Sequence, residues 1–154
     1  MQLTNNFSLV EMVKSETALR HNMDNTPGEA EIENLKRLCE QILQPVREHY
    51  GKGVKVNSGF RHPEVNAKVG GSKTSDHCKG QAADIEIPGV ANAELAQYIA
   101  ENFSFTQVIL EFYTQGIPDS GWVHVSYDPA NLKKQTLTAV KQDGKTVYLP
   151  GLVA

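Results

Sequence analysis

Apolar residues recur at three- and four-residue steps through Ile32, Leu35, Cys39, Ile42 and Val46. That spacing predicts an amphipathic helix ending near Gly51. Thr26-Pro27-Gly28-Glu29 reads as its start, with Thr26 as cap and Pro27 at the first helical position. Pro45, inside the run, should kink the helix or split off its last turn. Upstream, Ser8-Leu9-Val10-Glu11 reads as a capping box, with Phe7 and Met12 placed for a hydrophobic staple over a short helix. After Gly53 the period changes to two. Val54–Ser58, Ala82–Ile87, Thr106–Phe112 and Trp122–Tyr127 alternate as strands, interrupted by short helices at Pro63–Val69 and Ala91–Asn102. Thr136–Val140 and Lys145–Leu149 flank Asp143-Gly144 as a hairpin. Helices first and a mostly antiparallel sheet afterwards make an α+β domain, with the N-terminal helices packed on one side of a small antiparallel sheet.

No linker, repeat or low-complexity segment divides the sequence, so residues 1–154 are expected to form one domain. Formal charge is −3 and no basic run is longer than Lys133-Lys134, which argues against a nucleic-acid partner. No apolar run reaches membrane-spanning length, and Met1–Phe7 lacks the basic and apolar stretches of a secretory signal. The two cysteines, Cys39 and Cys78, are expected to be free thiols.

The chemistry concentrates in two segments, Ser75-Asp76-His77-Cys78-Lys79-Gly80-Gln81-Ala82-Ala83-Asp84 and Gly121-Trp122-Val123-His124-Val125-Ser126. Imidazole and carboxylate are ligand types that hold zinc while leaving a position open for water. Gly80 argues against one continuous helix from His77 to Asp84. A loop leading into a strand can instead bring both side chains to one point, and the small Gly80, Ala82 and Ala83 let the backbone pass close to a metal. If Val123, Val125 and Tyr127 face the core, then Trp122, His124 and Ser126 face the other side. His77, Asp84 and His124 are the candidate metal ligands. His21, His49 and His62 carry no such context, and Cys78 reads as packing.

Ser58-Gly59-Phe60-Arg61, Pro63-Glu64-Val65-Asn66, Gly70-Gly71-Ser72, Ser75-x-His77-x-x-Gly80-x-Ala82-x-Asp84 and Gly121-Trp122-Val123-His124-Val125-Ser126 together resemble the zinc D-alanyl-D-alanine carboxypeptidase family. The resemblance spans about Phe7 to Tyr127 and is nearest to small single-domain members, including phage endolysin-like peptidases. It implies the fold of the lysostaphin, D-Ala-D-Ala peptidase and hedgehog group. It also implies a Zn2+ cofactor on His77, Asp84 and His124, and a metallopeptidase that hydrolyses peptidoglycan stem peptides with metal-activated water.

Such a reaction needs a carboxylate to move the water's proton and a fixed cation for the developing oxyanion. Arg61 matches the family's arginine. In many relatives an acidic residue lies three positions before the last histidine ligand, but here Gly121 occupies that position. Glu111 is the first candidate base. If Val108, Leu110 and Phe112 face the core, Glu111 lies on the same side as His124. Asp119, in the loop Pro118-Asp119-Ser120-Gly121, is the second. Ser75, Trp122 and Ser126 are candidates for orienting ligands or substrate. The expected setting is a monomeric enzyme without a signal peptide, phage or prophage encoded, acting on the bacterial wall. The competing reading is a non-catalytic zinc-containing binding module or a phage virion component of the same fold.

Overall fold

The computed structural model describes residues 1–153. The short strands β1 (Gln2–Thr4) and β2 (Phe7–Ser8) pair antiparallel and lead into α1 (Leu9–Val13). The capping box forms as expected: Ser8 Oγ accepts from Glu11 N at 3.2 Å, and Glu11 Oε1 accepts from Ser8 N at 3.4 Å. Phe7 and Met12 are both buried in the core. A further short helix, α2 (Glu16–Arg20), follows.

The long helix begins later than its sequence suggests. Gly28, not Thr26, is the N-cap of α3 (Glu29–Leu38), and Glu31 closes the end by accepting from Gly28 N at 3.1 Å. Thr26 instead donates its hydroxyl to Asp24 at 2.6 Å, which diverts it from capping. Pro45 does not break the helix. One turn, Cys39–Leu43, widens to π geometry before α4 (Gln44–Tyr50), with Gln44 N bonding Cys39 O. The wider turn accommodates a proline that lacks an N–H and whose ring would press on the preceding turn. Gly51, in left-handed conformation at φ 63°, ends α4.

The remaining elements are β3 (Lys55–Ser58), α5 (Pro63–Lys68), a 3₁₀ turn (Asp76–Lys79), β4 (Ala82–Glu86), α6 (Asn92–Asn102), β5 (Gln107–Glu111), β6 (Trp122–Ser126), β7 (Gln135–Gln142) and β8 (Lys145–Pro150). The six strands β3 to β8 form one sheet in the order β3-β4-β6-β5-β7-β8. The sheet is mixed, which corrects the expectation of an antiparallel one: β7 runs parallel to β5, with Glu111 opposite Ala139. The connection from β5 through β6 to β7 returns the chain to the far side of β5 in the same direction.

One face of this sheet carries Ala83, Ile85, Val108, Leu110, Val123 and Val125 into a core shared with Leu35, Leu38, Ile42, Leu43 and Val46 of the long helix and Leu95 and Ile99 of α6. All of these are fully shielded from solvent. At about 25 cal/mol per Å² of apolar surface, their burial is the main force holding helices to sheet. Because strand side chains alternate, the same strands must send Asp84, Ile109, Glu111, Trp122 and His124 to the opposite face.

Candidate active site

Strand register assembles the site. Asp84 of β4 is directly opposite His124 of β6, and His124 is opposite Ile109 of β5. One row further along, Trp122, Glu111, Ala139 and Tyr148 lie side by side across β6, β5, β7 and β8. Cross-strand neighbours share a face, so the side chains of these two rows, apart from the fully buried Ala139, line a cleft of about 390 Å³. A cleft of that size suits a short peptide segment.

His77 arrives from the loop side, on the 3₁₀ turn before β4. Ser75 caps that turn by accepting from His77 N at 3.2 Å. The imidazole Nδ1 lies 2.7 Å from Gly59 O. A carbonyl only accepts, so Nδ1 carries the proton and Nε2 presents its lone pair inward. Gly59 is itself fixed by α1: a Cβ there would collide with Met12 O, the oxygen that accepts from Phe60 N at 2.8 Å. The next peptide is held too, since Arg61 N donates to His77 O at 3.1 Å. Asn25 locks this loop by donating to Phe60 O and accepting from His62 N.

Both imidazoles converge on one carboxylate oxygen. His124 Nδ1 lies 3.0 Å and His77 Nε2 3.4 Å from Asp84 Oδ1, and the three ligand atoms fall within 4.8 Å of one another. Burial pushes the Asp84 carboxyl up, but the charges and hydrogen bonds of His77 and His124 outweigh it and hold the group well below the usual carboxylate range. Burial pulls His124 down, while the hydrogen bond and charge of Asp84, with Glu111 and Asp76 adding, raise it overall. Two nitrogens and one oxygen drawn to a single point, with His77 oriented by a backbone carbonyl, are a donor set that fits zinc.

Glu111 lies on the cleft floor. Its Oε2 accepts from Trp122 Nε1 at 2.8 Å. Burial, then the charge of Asp84, raise its pKa, against His124, Trp122 and Arg61. Arg61 lines the same cleft and forms no ion pair among the described residues, and its Nε is buried without a partner. Of the sequence candidates, the structure gathers His77, Asp84, His124, Glu111, Arg61, Ser75 and Trp122 around one cleft. It does not bring Asp119 or Ser126 there. Asp119 is exposed in the loop between β5 and β6. Ser126 is fully buried, its hydroxyl accepting from Gln107 N at 3.1 Å, so it serves the sheet.

Phe112 also departs from expectation. It takes a left-handed conformation at φ 56° and packs against Trp122 at 5.4 Å instead of entering the core. Strand alternation ends at Glu111, whose outward placement rests on Val108 and Leu110. Asp76, Gln107, Ile109 and Tyr148 line the cleft without having been singled out from sequence. For Tyr148 the signal was available, because Val147 and Leu149 alternate with it. Gly121 shows why no acidic side chain stands three positions before His124. At φ 66°, a Cβ there would collide with Glu111 O.

Over 68 residues the chain is 40% identical to the zinc D-Ala-D-Ala carboxypeptidase of Streptomyces albus G, a match taking in 44% of this chain. It spans 26% of that protein, about a quarter of its length. A family model described as peptidase M15 matches residues 5–126, which take in the helices α1 to α6, the strands β3 to β6 and all three converging candidate ligand residues. With most of its length, and both strands that carry candidate ligands, inside that match, the chain belongs to the peptidase M15 family.

Proposed function

We propose that the protein is a zinc-dependent peptidase that hydrolyses peptide bonds of peptidoglycan stem peptides. The observation that carries this is the convergence of His77, Asp84 and His124 in a cleft that also holds Glu111 and an unpaired Arg61. Membership of the peptidase M15 family and the partial identity to a zinc D-Ala-D-Ala carboxypeptidase support it. Zinc held by the three ligands supplies a Lewis acid and lowers the pKa of a coordinated water toward neutrality.

The chain's own groups do the rest. Glu111 takes the proton of the attacking water and delivers it to the leaving amine, a role helped by a carboxyl poised above its usual pKa. Trp122 holds the Glu111 carboxylate in place through the indole N–H. Arg61, whose charge is not spent on a protein carboxylate, stabilises the negative charge that develops on the scissile carbonyl oxygen. Ser75 keeps His77 oriented. The position of Glu111 in the cleft, which Asp119 does not line, supports Glu111 over Asp119 as the base.

The test is hydrolysis of purified peptidoglycan and defined stem peptides by wild type and Glu111→Gln, with zinc measured on both. Equal zinc with loss of about 10²- to 10⁴-fold in kcat for the variant is expected. Zinc-loaded wild type that cleaves no stem peptide would refute the reading. An endolysin-like role follows from the resemblance to small phage peptidases, and clearing of intact cells against isolated walls tests it.

A further inference from the structure

The peptidase M15 match ends at Ser126, yet the cleft does not. Residues 135–150 fold as the hairpin β7–β8, and β7 pairs in parallel with β5, the strand that carries Glu111. The row Trp122, Glu111, Ala139, Tyr148 therefore runs from the family-matched strands straight into the hairpin. We propose that Tyr148 is a substrate-binding residue, its hydroxyl donating a hydrogen bond to an acceptor oxygen of the bound peptide from the side of the cleft built by β8. The proposal rests on the reading of the cleft as a peptidase site.

Three observations carry it. Tyr148 lines the cleft that holds the three ligand residues, Glu111 and Arg61. It is 52% exposed, and no hydrogen bond of its hydroxyl to protein is seen among the described residues, so the group is available to an incoming molecule. Between it and Glu111 stands only the methyl of Ala139, so no bulk at that position separates phenol from carboxylate. Burial, followed by the charges of Glu111 and Asp84, raises the phenol pKa, so the hydroxyl stays protonated and remains a donor at neutral pH.

A peptide backbone offers carbonyl oxygens on both edges. Arg61 faces it as a cationic donor, and a neutral donor on the β8 side would fix the chain's orientation without competing for the reacting carbonyl. The ring is half exposed and is not part of the buried core, so removing its hydroxyl should leave the fold intact.

The experiment compares Glu111→Gln with Glu111→Gln/Tyr148→Phe for binding of a defined stem peptide by calorimetry, both zinc-loaded. It also compares KM and kcat of Tyr148→Phe and wild type, with melting temperatures throughout. Loss of one hydrogen bond predicts Kd and KM raised about 3- to 10-fold by the phenylalanine, with kcat, zinc content and melting temperature near wild type. Unchanged Kd and KM overturn the proposal, as does a loss confined to kcat. If wild type neither binds nor cleaves the peptide, the peptidase reading itself falls, and this proposal with it.

Discussion

Gly121→Ala isolates the contact that shapes the Glu111 end of β5. Gly121 sits at φ 66°, where an L-residue is disfavoured by about 1–2 kcal/mol. Its added Cβ would also collide with Glu111 O and lie 2.8 Å from Phe112 C, both backbone atoms that cannot swing aside. Overpacking of this kind costs about 1–3 kcal/mol. Restricting the unfolded chain returns about 0.4–1 kcal/mol. The net loss is about 1–4.6 kcal/mol, or roughly 2–18 °C in melting temperature for a domain of this size. Gly116→Ala is the control. It lies in the same loop at φ 90°, but with nothing within 4 Å of its Cβ position. That variant suffers only the conformational cost, about 1 kcal/mol. Differential scanning calorimetry reads both. Activity adds a second readout: displacing the Glu111 carbonyl drags its carboxylate, and a shift of about 1 Å can lower kcat by about 100-fold. If Gly121→Ala melts no lower than Gly116→Ala and turns over stem peptides at the wild-type rate, the contact does not constrain Glu111 and the reasoning fails.

Trp122→Phe removes the hydrogen bond that lowers the Glu111 pKa. The acidic limb of the kcat/KM profile should therefore move to higher pH, and a move to lower pH would contradict the role of the indole. Asp84→Asn leaves two imidazoles without the carboxylate between them, so zinc recovered after gel filtration should fall from about one per chain to a small fraction; full retention would exclude Asp84 as a ligand. In chelated protein the Asp84–His124 pair makes stability depend on pH. The Asp84 pKa is depressed by folding, so its contribution is present above about pH 4 and is lost as pH falls through the folded value. The His124 pKa is raised, so its contribution is complete below about pH 6.5 and is lost as pH rises through the folded value. Metal-free protein should accordingly be most stabilised by this pair between those limits. Melting curves in EDTA across pH 3–9 check it, and a maximum that lies above neutrality would count against the pair.

Local signals were the readable ones. Ser8 and Glu11 announce a capping box three residues apart, and the structure forms it. Period-two alternation puts His124 and Glu111 on the face opposite Val123, Val125, Val108 and Leu110, and Asp84 opposite Ala83 and Ile85. What alternation does not encode is which strand pairs with which. Nothing in residues 135–142 marks them as a parallel partner of β5, so the mixed sheet is not legible in the sequence. Phe112 looked like one more core position, but the left-handed turn it adopts depends on Gly121 approaching from β6, a long-range constraint. Asp119 is an acidic residue in the loop before β6, and alternation alone puts Ser126 on the face of His124. The first points to solvent from a loop, and the second is taken by Gln107 N. Pro45 correctly marked a disturbance in the helix, yet a widened turn absorbs it without a break.

The parallel pairing of β5 with β7 also sets an order of assembly. Strands β3, β4, β6 and β5 can find one another from residues 55–126, but the other flank of β5 waits for residues 135–142. Until those residues arrive, the backbone N–H and C=O groups of Gln107–Glu111 form an open edge beneath an apolar Val-Ile-Leu sequence. An open edge of that composition recruits other chains. Long-range pairing is slow because loop entropy is lost before contacts form. A nascent chain halted in the loop after β6 would therefore carry all three ligand residues and Glu111 and still be prone to self-association. Docking of the late β7–β8 hairpin closes the aggregation-prone edge through β7 and completes the wall of the cleft through Tyr148 of β8, so solubility and activity should appear together during synthesis.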